Sequence, residues 1–119
     1  MPDFPVIDPQ AIENLRLLNP GDNDEFLKEI TDIFLEDTPS RIVELEESYA
    51  AGDAAKFSRA AHSIKGSSAN LGAMALRSVA ERLEQQSRSD GVASCAHFIA
   101  EIKLEFSRAK VELAKLTAK

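Results

Sequence analysis

The residues with chemical potential converge on one segment, Ala61-His62-Ser63-Ile64-Lys65-Gly66-Ser67-Ser68-Ala69-Asn70-Leu71-Gly72. Imidazole can act as a nucleophile and proton carrier near neutral pH, so the placement of His62 decides what it can do. A helix turns about 100° per residue. On that period Phe57, Ala60, Ala61, Ile64, Ser68 and Leu71 form one stripe that should face a core. His62 lies roughly 140° from the centre of the stripe and should point to water. Gly66 at i+4, Ala69 at i+7 and Ala73 beyond share its side, and Lys65 at i+3 stands beside it on the surface. The expectation is an exposed imidazole on a platform of small residues, with one cation next to it. Glycine inside a helix costs about 1 kcal/mol relative to alanine. Gly66 is therefore read as clearance that lets another protein approach the ring. An ordinary solvated surface histidine is the plain alternative; Gly66, Lys65 and the two serines weigh against it.

The string His62-Ser63-Ile64-Lys65-Gly66-Ser67-Ser68, followed by Asn70-Leu71-Gly72, resembles the signature of histidine-containing phosphotransfer (HPt) domains, H-x-x-K-G-S-S-x-x-x-G. The resemblance extends to an acidic amphipathic segment over 23–51, a Gly52-Asp53 turn, the motif helix and two further helical segments. The region 1–22 is less diagnostic. The resemblance implies a phosphohistidine carrier, the middle step of a two-component phosphorelay, with His62 as phosphoacceptor. It would accept a phosphoryl group from a receiver-domain aspartate and pass it to another receiver. Lys65 favours the neutral ring by like-charge repulsion and can offset the phosphoryl charge once it is attached. The implied partners are response-regulator receiver domains and a hybrid histidine kinase. No cofactor of its own is implied; magnesium is expected on the partner receiver. Geometry adds Ser58, Arg59, Ala69 and Ala73 to Lys65 and Gly66 as candidate partner contacts.

Composition is consistent with this reading. A chain of 119 residues fits one domain with a single modest core, expected as a helical bundle over 1–119: an N-terminal segment with a short helix at 1–22 and the bundle at 23–119. The net charge of −6 argues against a nucleic-acid surface and a polybasic membrane anchor. Met1-Pro2-Asp3-Phe4-Pro5 has neither a basic nor an apolar leader, and no apolar run is long enough to span a bilayer. A cytoplasmic monomer is the expectation. Charge is uneven, however. No Asp or Glu occurs between Ala54 and Ala80, where Lys56, Arg59, Lys65 and Arg77 lie. This predicts a basic neighbourhood around His62.

The elements that must position His62 are legible as amphipathic helices. Asp8-Pro9 reads as N-cap and first helical residue of a short helix carrying Ile12, Leu15 and Leu18, ended by Asn19-Pro20-Gly21. Asp22 or Asn23 can cap the next helix, whose stripe is Phe26, Leu27, Ile30, Phe34, Thr38, Ile42, Leu45 and Tyr49. Pro39 interrupts it without a slip of phase, so one long bent helix is expected, with two helices as the alternative. Gly52 ends it, Asp53 caps the motif helix and Gly72 supplies a left-handed stop. A fourth helix buries Leu76, Val79, Ala80 and Leu83, Ser87–Gly91 reads as a polar turn, and a final seam runs Cys95, Ile99, Ile102, Phe106, Ala109, Leu113, Leu116. The fold class is all-α: an up-down antiparallel four-helix bundle with a short extra N-terminal helix.

Other chemistry finds little support. No P-loop or protein-kinase signature occurs, so no nucleotide site and no enzyme activity are expected. Cys95 and His97 point roughly 200° apart on a helix and cannot share a metal. Cys95 reads as a buried thiol and His97 as a surface residue. A receiver-binding adaptor that carries no phosphate is the main competing function, and the intact His62 argues against it. The phosphoacceptor module of a histidine kinase would need a nucleotide-binding domain for which this sequence has no room.

Overall fold

A computed structural model describes residues 4–18, 21 and 24–117. The helices are α1 (Pro9–Leu18), α2 (Glu25–Ala51), α3 (Ala54–Asn70), α4 (Met74–Asp90) and α5 (Ala96–Thr117), with one 3-10 turn at Val92–Cys95 before α5. Helix α2 packs on α3, α3 on α4, α4 on α5 and α5 back on α2, closing the up-down bundle, while α1 lies against α2. No strand occurs among the described residues. The expected stripes make the core: Phe57, Ala60, Ala61, Ile64, Ser68 and Leu71 are all buried, as are Leu27, Phe34, Thr38, Ile42 and Leu45 of α2.

Local chemistry sets most boundaries. The Asp8 carboxylate accepts from the Gln10 backbone N–H at 3.0 Å, capping α1 at Pro9. The Asp53 carboxylate accepts from the Lys56 N–H at 3.1 Å and starts α3. Gly52 closes α2 in the left-handed region, its N–H turned back to the carbonyls of Ser48 and Tyr49. Helix α2 runs through Pro39 as one helix. The caps expected at Asp22 or Asn23 lie outside the described residues. The residue preceding α2 is Asp24, at φ 63°, with its carboxylate 3.3 Å from Arg16 of α1.

Two expectations change. Ser87–Asp90 is helical, not a turn: Ser87 is buried, its hydroxyl donates to the Glu84 carbonyl at 2.9 Å, and Gln86 reaches Asp90 one turn on at 2.9 Å. The chain breaks only at Gly91. Leu18, expected on the inner face of α1, is exposed; Ile12 alone of that helix is fully buried.

The N-terminal segment is tied to the turn after α3. The Asp8 N–H donates to the Gly72 carbonyl at 2.8 Å, and the Ala75 N–H to the Pro5 carbonyl at 3.0 Å. Gly72 has φ +70°, and a Cβ there would sit 2.5 Å from the Ala11 Cβ and 3.3 Å from the Asp8 carbonyl oxygen. Gly72→Ala combines left-handed strain with a backbone-level clash. It should destabilise the fold by about 2 kcal/mol or more. Urea unfolding checks this; a midpoint equal to wild type would contradict the packing described.

Candidate functional site

His62 sits near the middle of α3, opposite the buried stripe that fixes the rotation of the helix. Its side chain is 70% exposed. Gly66, one turn on, is also exposed, and a Cβ built on it meets no atom within 4 Å. Nothing inside the described chain therefore requires glycine at this position. Ser67 and Ser68 turn inward: their hydroxyls donate to the Ser63 and Ile64 carbonyls at 3.1 and 2.6 Å, satisfying themselves within the helix. Both are packing residues, and the outer face is left to His62 and Gly66.

Lys65, expected on the surface beside His62, is less exposed than that expectation. Its side chain is three-quarters buried, and Nζ donates to Glu84 Oε1 of α4 at 2.8 Å. Glu84 Oε2 meets Arg88 at 2.7 Å and lies 3.5 Å from Nδ1 of His62. One carboxylate, 3% exposed, thus gathers the histidine and two cations from two helices. Burial pushes the Glu84 carboxyl up. The hydrogen bonds from Lys65 and Arg88, reinforced by their charges, outweigh burial and hold it below the ordinary carboxylate value. Glu84 and Arg88 are the site residues that the sequence reading missed. Glu84 follows Ala80 by four residues and falls at the edge of the buried stripe of α4. A carboxylate there, with an arginine one turn on, is the signal that was available.

The basic neighbourhood expected from the acid-free run is largely neutralised in space. Besides Glu84 on Lys65, Glu47 approaches Lys56 at 3.7 Å and Glu81 reaches Arg77 at 4.0 Å. Arg41 of α2, which borders the shallow depression beside His62, is held by Glu44 at 2.8 Å. Arg59 is exposed, lines the same depression and makes no ion pair among the described residues. Ser58 also lines it, half-buried, and Ala69 is half-buried farther along α3.

Ala73 does not belong to this face. It is fully buried. The helical angle that placed it near His62 holds only while the helix continues, and α3 ends at Asn70. Gly72 turns the chain inward, leaving Ala73 as the residue before α4. A fully buried side chain offers no contact to a partner.

Among the described residues no group of three His, Cys, Asp or Glu side chains is arranged to hold a metal ion, and no helix is long and apolar enough to cross a membrane. Cys95 is buried, and burial pushes its thiol up. His97 is exposed, its ring 4.1 Å from that of Phe98.

Comparison with known proteins identifies the fold and the family. Over 82 residues, 69% of this chain, it is 34% identical to multistep phosphorelay regulator 1 of Schizosaccharomyces pombe; the match spans 28% of that protein's length. The crystal structure of histidine-containing phosphotransfer protein B from Pseudomonas aeruginosa PAO1 superposes with a TM-score of 0.85 at 26% identity, covering 97% of this chain and 96% of that one. A histidine-containing phosphotransfer protein from maize shares the fold, with a TM-score of 0.77 at 22% identity over 93% and 86% of the two chains. The Hpt domain family model matches residues 29–112, and with the helical bundle and the outward-facing His62 this shows that the chain belongs to the Hpt domain family.

Proposed function

We propose that this protein is a phosphohistidine carrier, with His62 as the group that takes and returns the phosphoryl. The observation that carries this reading is a 70% exposed imidazole held on the outer face of α3, with open space over Gly66. Glu84 faces Nδ1, so Nε2 is the nitrogen turned away from the protein's own carboxylate. In the forward step the Nε2 lone pair attacks phosphorus of a receiver's aspartyl phosphate in line. The P–O bond to the aspartate breaks, and its electron pair returns to the carboxylate. The chain brings half of the reacting geometry; the receiver supplies the other half, including the magnesium ion expected there.

Lys65 is placed to offset part of the phosphoryl charge. Its ammonium is already engaged by Glu84, so it acts as a fixed, oriented cation. Ser58, Arg59, Gly66 and Ala69 surround His62 on the accessible side and make up the proposed receiver contact. Partner classes are receiver domains, one of them in a hybrid histidine kinase, and the proposed state is a cytoplasmic monomer.

The test is a transfer assay in magnesium buffer with a receiver domain carrying a labelled aspartyl phosphate. Label should move to this protein within seconds to minutes and move on when a second, unlabelled receiver is added. Stable binding of receivers with no movement of label would favour an adaptor that carries no phosphate.

A further inference from the structure

Helix α5 has two apolar sides. Ile99, Ile102, Phe106, Ala109 and Leu113 face inward and belong to the core. On the outer side Ala100, Leu104, Ser107, Val111 and Ala114 repeat at steps of four and three residues, and all of them are exposed. Leu104 and Val111 are 58% and 55% exposed. The charges beside this outer seam have one sign. Among the described residues the exposed charged side chains of α5 are Lys103, Arg108, Lys110 and Lys115, all cations, whereas Glu101, Glu105 and Glu112 are partly buried. The exposed charged side chains of neighbouring α2 are all acidic and the whole chain carries a net charge of −6, so a basic face runs against the general character of the surface. We infer that the outer face of α5 is a docking surface for an acidic amphipathic helix of a partner protein, held at the same time as a receiver at His62. The simultaneous binding rests on the carrier reading; the α5 surface does not.

In paired helices, apolar residues at this spacing form the contact, and the charges flanking them select the partner. Lys103 and Lys110 border the seam on one side, Arg108 and Lys115 on the other. Ala100, Ser107 and Ala114 are small enough for a second helix to come close around Leu104 and Val111. Beside Val111 lies a shallow cavity of about 300 Å³, walled also by Val6, Ser107, Arg108 and Glu112, which can take an apolar side chain from that helix. The cations are available to it. Lys110 makes no ion pair among the described residues. Lys103, Arg108 and Lys115 are held by Glu46, Glu105 and Glu112 at 2.7, 2.8 and 3.3 Å, surface pairs that stabilise weakly and can be shared with incoming carboxylates. Two α5 faces would meet cation to cation, which disfavours a second copy bound through this helix. An anionic membrane fits less well, because Leu104 and Val111 are the only large apolar side chains projecting from α5 and the chain as a whole is acidic. In the ring of helices α5 stands diagonally across from α3, so its outer face and His62 lie on opposite sides of the bundle.

The probe is a fluorescein-labelled peptide of three heptads, with leucine at the apolar positions and glutamate on both flanks, whose own charges keep it from pairing with itself. Fluorescence anisotropy should show saturable binding to the full chain that weakens as salt rises. The same peptide with lysine flanks should not bind. The double variant Leu104→Gln with Val111→Gln changes only exposed sites and should fold normally. It should weaken binding by about tenfold or more, the scale expected when two aliphatic side chains are removed from a contact. Lys110→Glu should weaken it by about threefold or more. Saturating acidic peptide should leave transfer from a phosphorylated receiver to His62 unchanged. No binding of the acidic peptide, equal binding of the lysine-flanked one, wild-type affinity in the double variant, or inhibition of transfer by the peptide would each overturn the inference. Association with phosphatidylglycerol vesicles in place of the peptide would overturn it in favour of a lipid surface. Sedimentation as a dimer that the double variant abolishes would overturn it in favour of a second copy. Failure of transfer in every sample, with peptide binding intact, would remove the carrier reading and keep the α5 docking surface.

Discussion

His62→Gln should abolish phosphoryl acceptance while leaving the bundle as stable as before. The side chain is 70% exposed and lies off the buried stripe, and its one ion-pair neighbour among the described residues, at 3.5 Å, is Glu84. Glu84 keeps Lys65 and Arg88 in the variant, so no buried charge is stranded. The change in unfolding free energy should stay within about 0.5 kcal/mol. Transfer should fall below detection, a loss of about a thousandfold or more, because glutamine offers no nucleophile. Label retained at near wild-type level would remove His62 from the reaction; loss of helical signal would show that the residue also holds the fold.

Gly66→Gln separates stability from function in the opposite sense. Its Cβ enters open space, and glutamine is a better helix former than glycine by roughly 0.5 kcal/mol. The variant should therefore unfold at equal or higher denaturant concentration. Transfer should nevertheless slow by about a hundredfold, because a long side chain one turn from the ring displaces the incoming receiver, and displacements of about 1 Å are enough for such losses. A variant that is more stable and transfers normally would end the clearance argument. Phosphoramidate, being small, should load this variant at the wild-type rate, which locates the defect in docking.

The parts of the fold legible in the sequence are those that periodicity and local chemistry decide. The α3 stripe from Phe57 to Leu71 is buried as a unit, and this alone turns His62 outward. Asp8 and Asp53 cap the helices expected of them, Gly52 and Gly72 take positive φ, and Ser67 and Ser68 bond back to the carbonyls four residues earlier. These interactions span only a few residues and can be counted along the chain.

The failures share the opposite property. Lys65 reads as a surface cation because its partner, Glu84, is on the next helix, and helical angles say nothing about a neighbour's side chains. The same blindness made an acid-free run look like a basic patch, although Glu47 and Glu84 enter from α2 and α4. Ala73 falls on the His62 face only if helical geometry is extended past Asn70, where the helix ends. The strap joining Pro5 and Asp8 to the start of α4 is made of backbone hydrogen bonds, which leave no mark on side-chain pattern.

The claim that this chain carries phosphate on His62 is tested most directly by intact mass and peptide mapping after exposure to a phosphorylated receiver. The account predicts one added phosphoryl group, lost in acid, kept in alkali and mapped to His62. No added mass across a panel of receivers, or an acid-stable group on a serine, would contradict it.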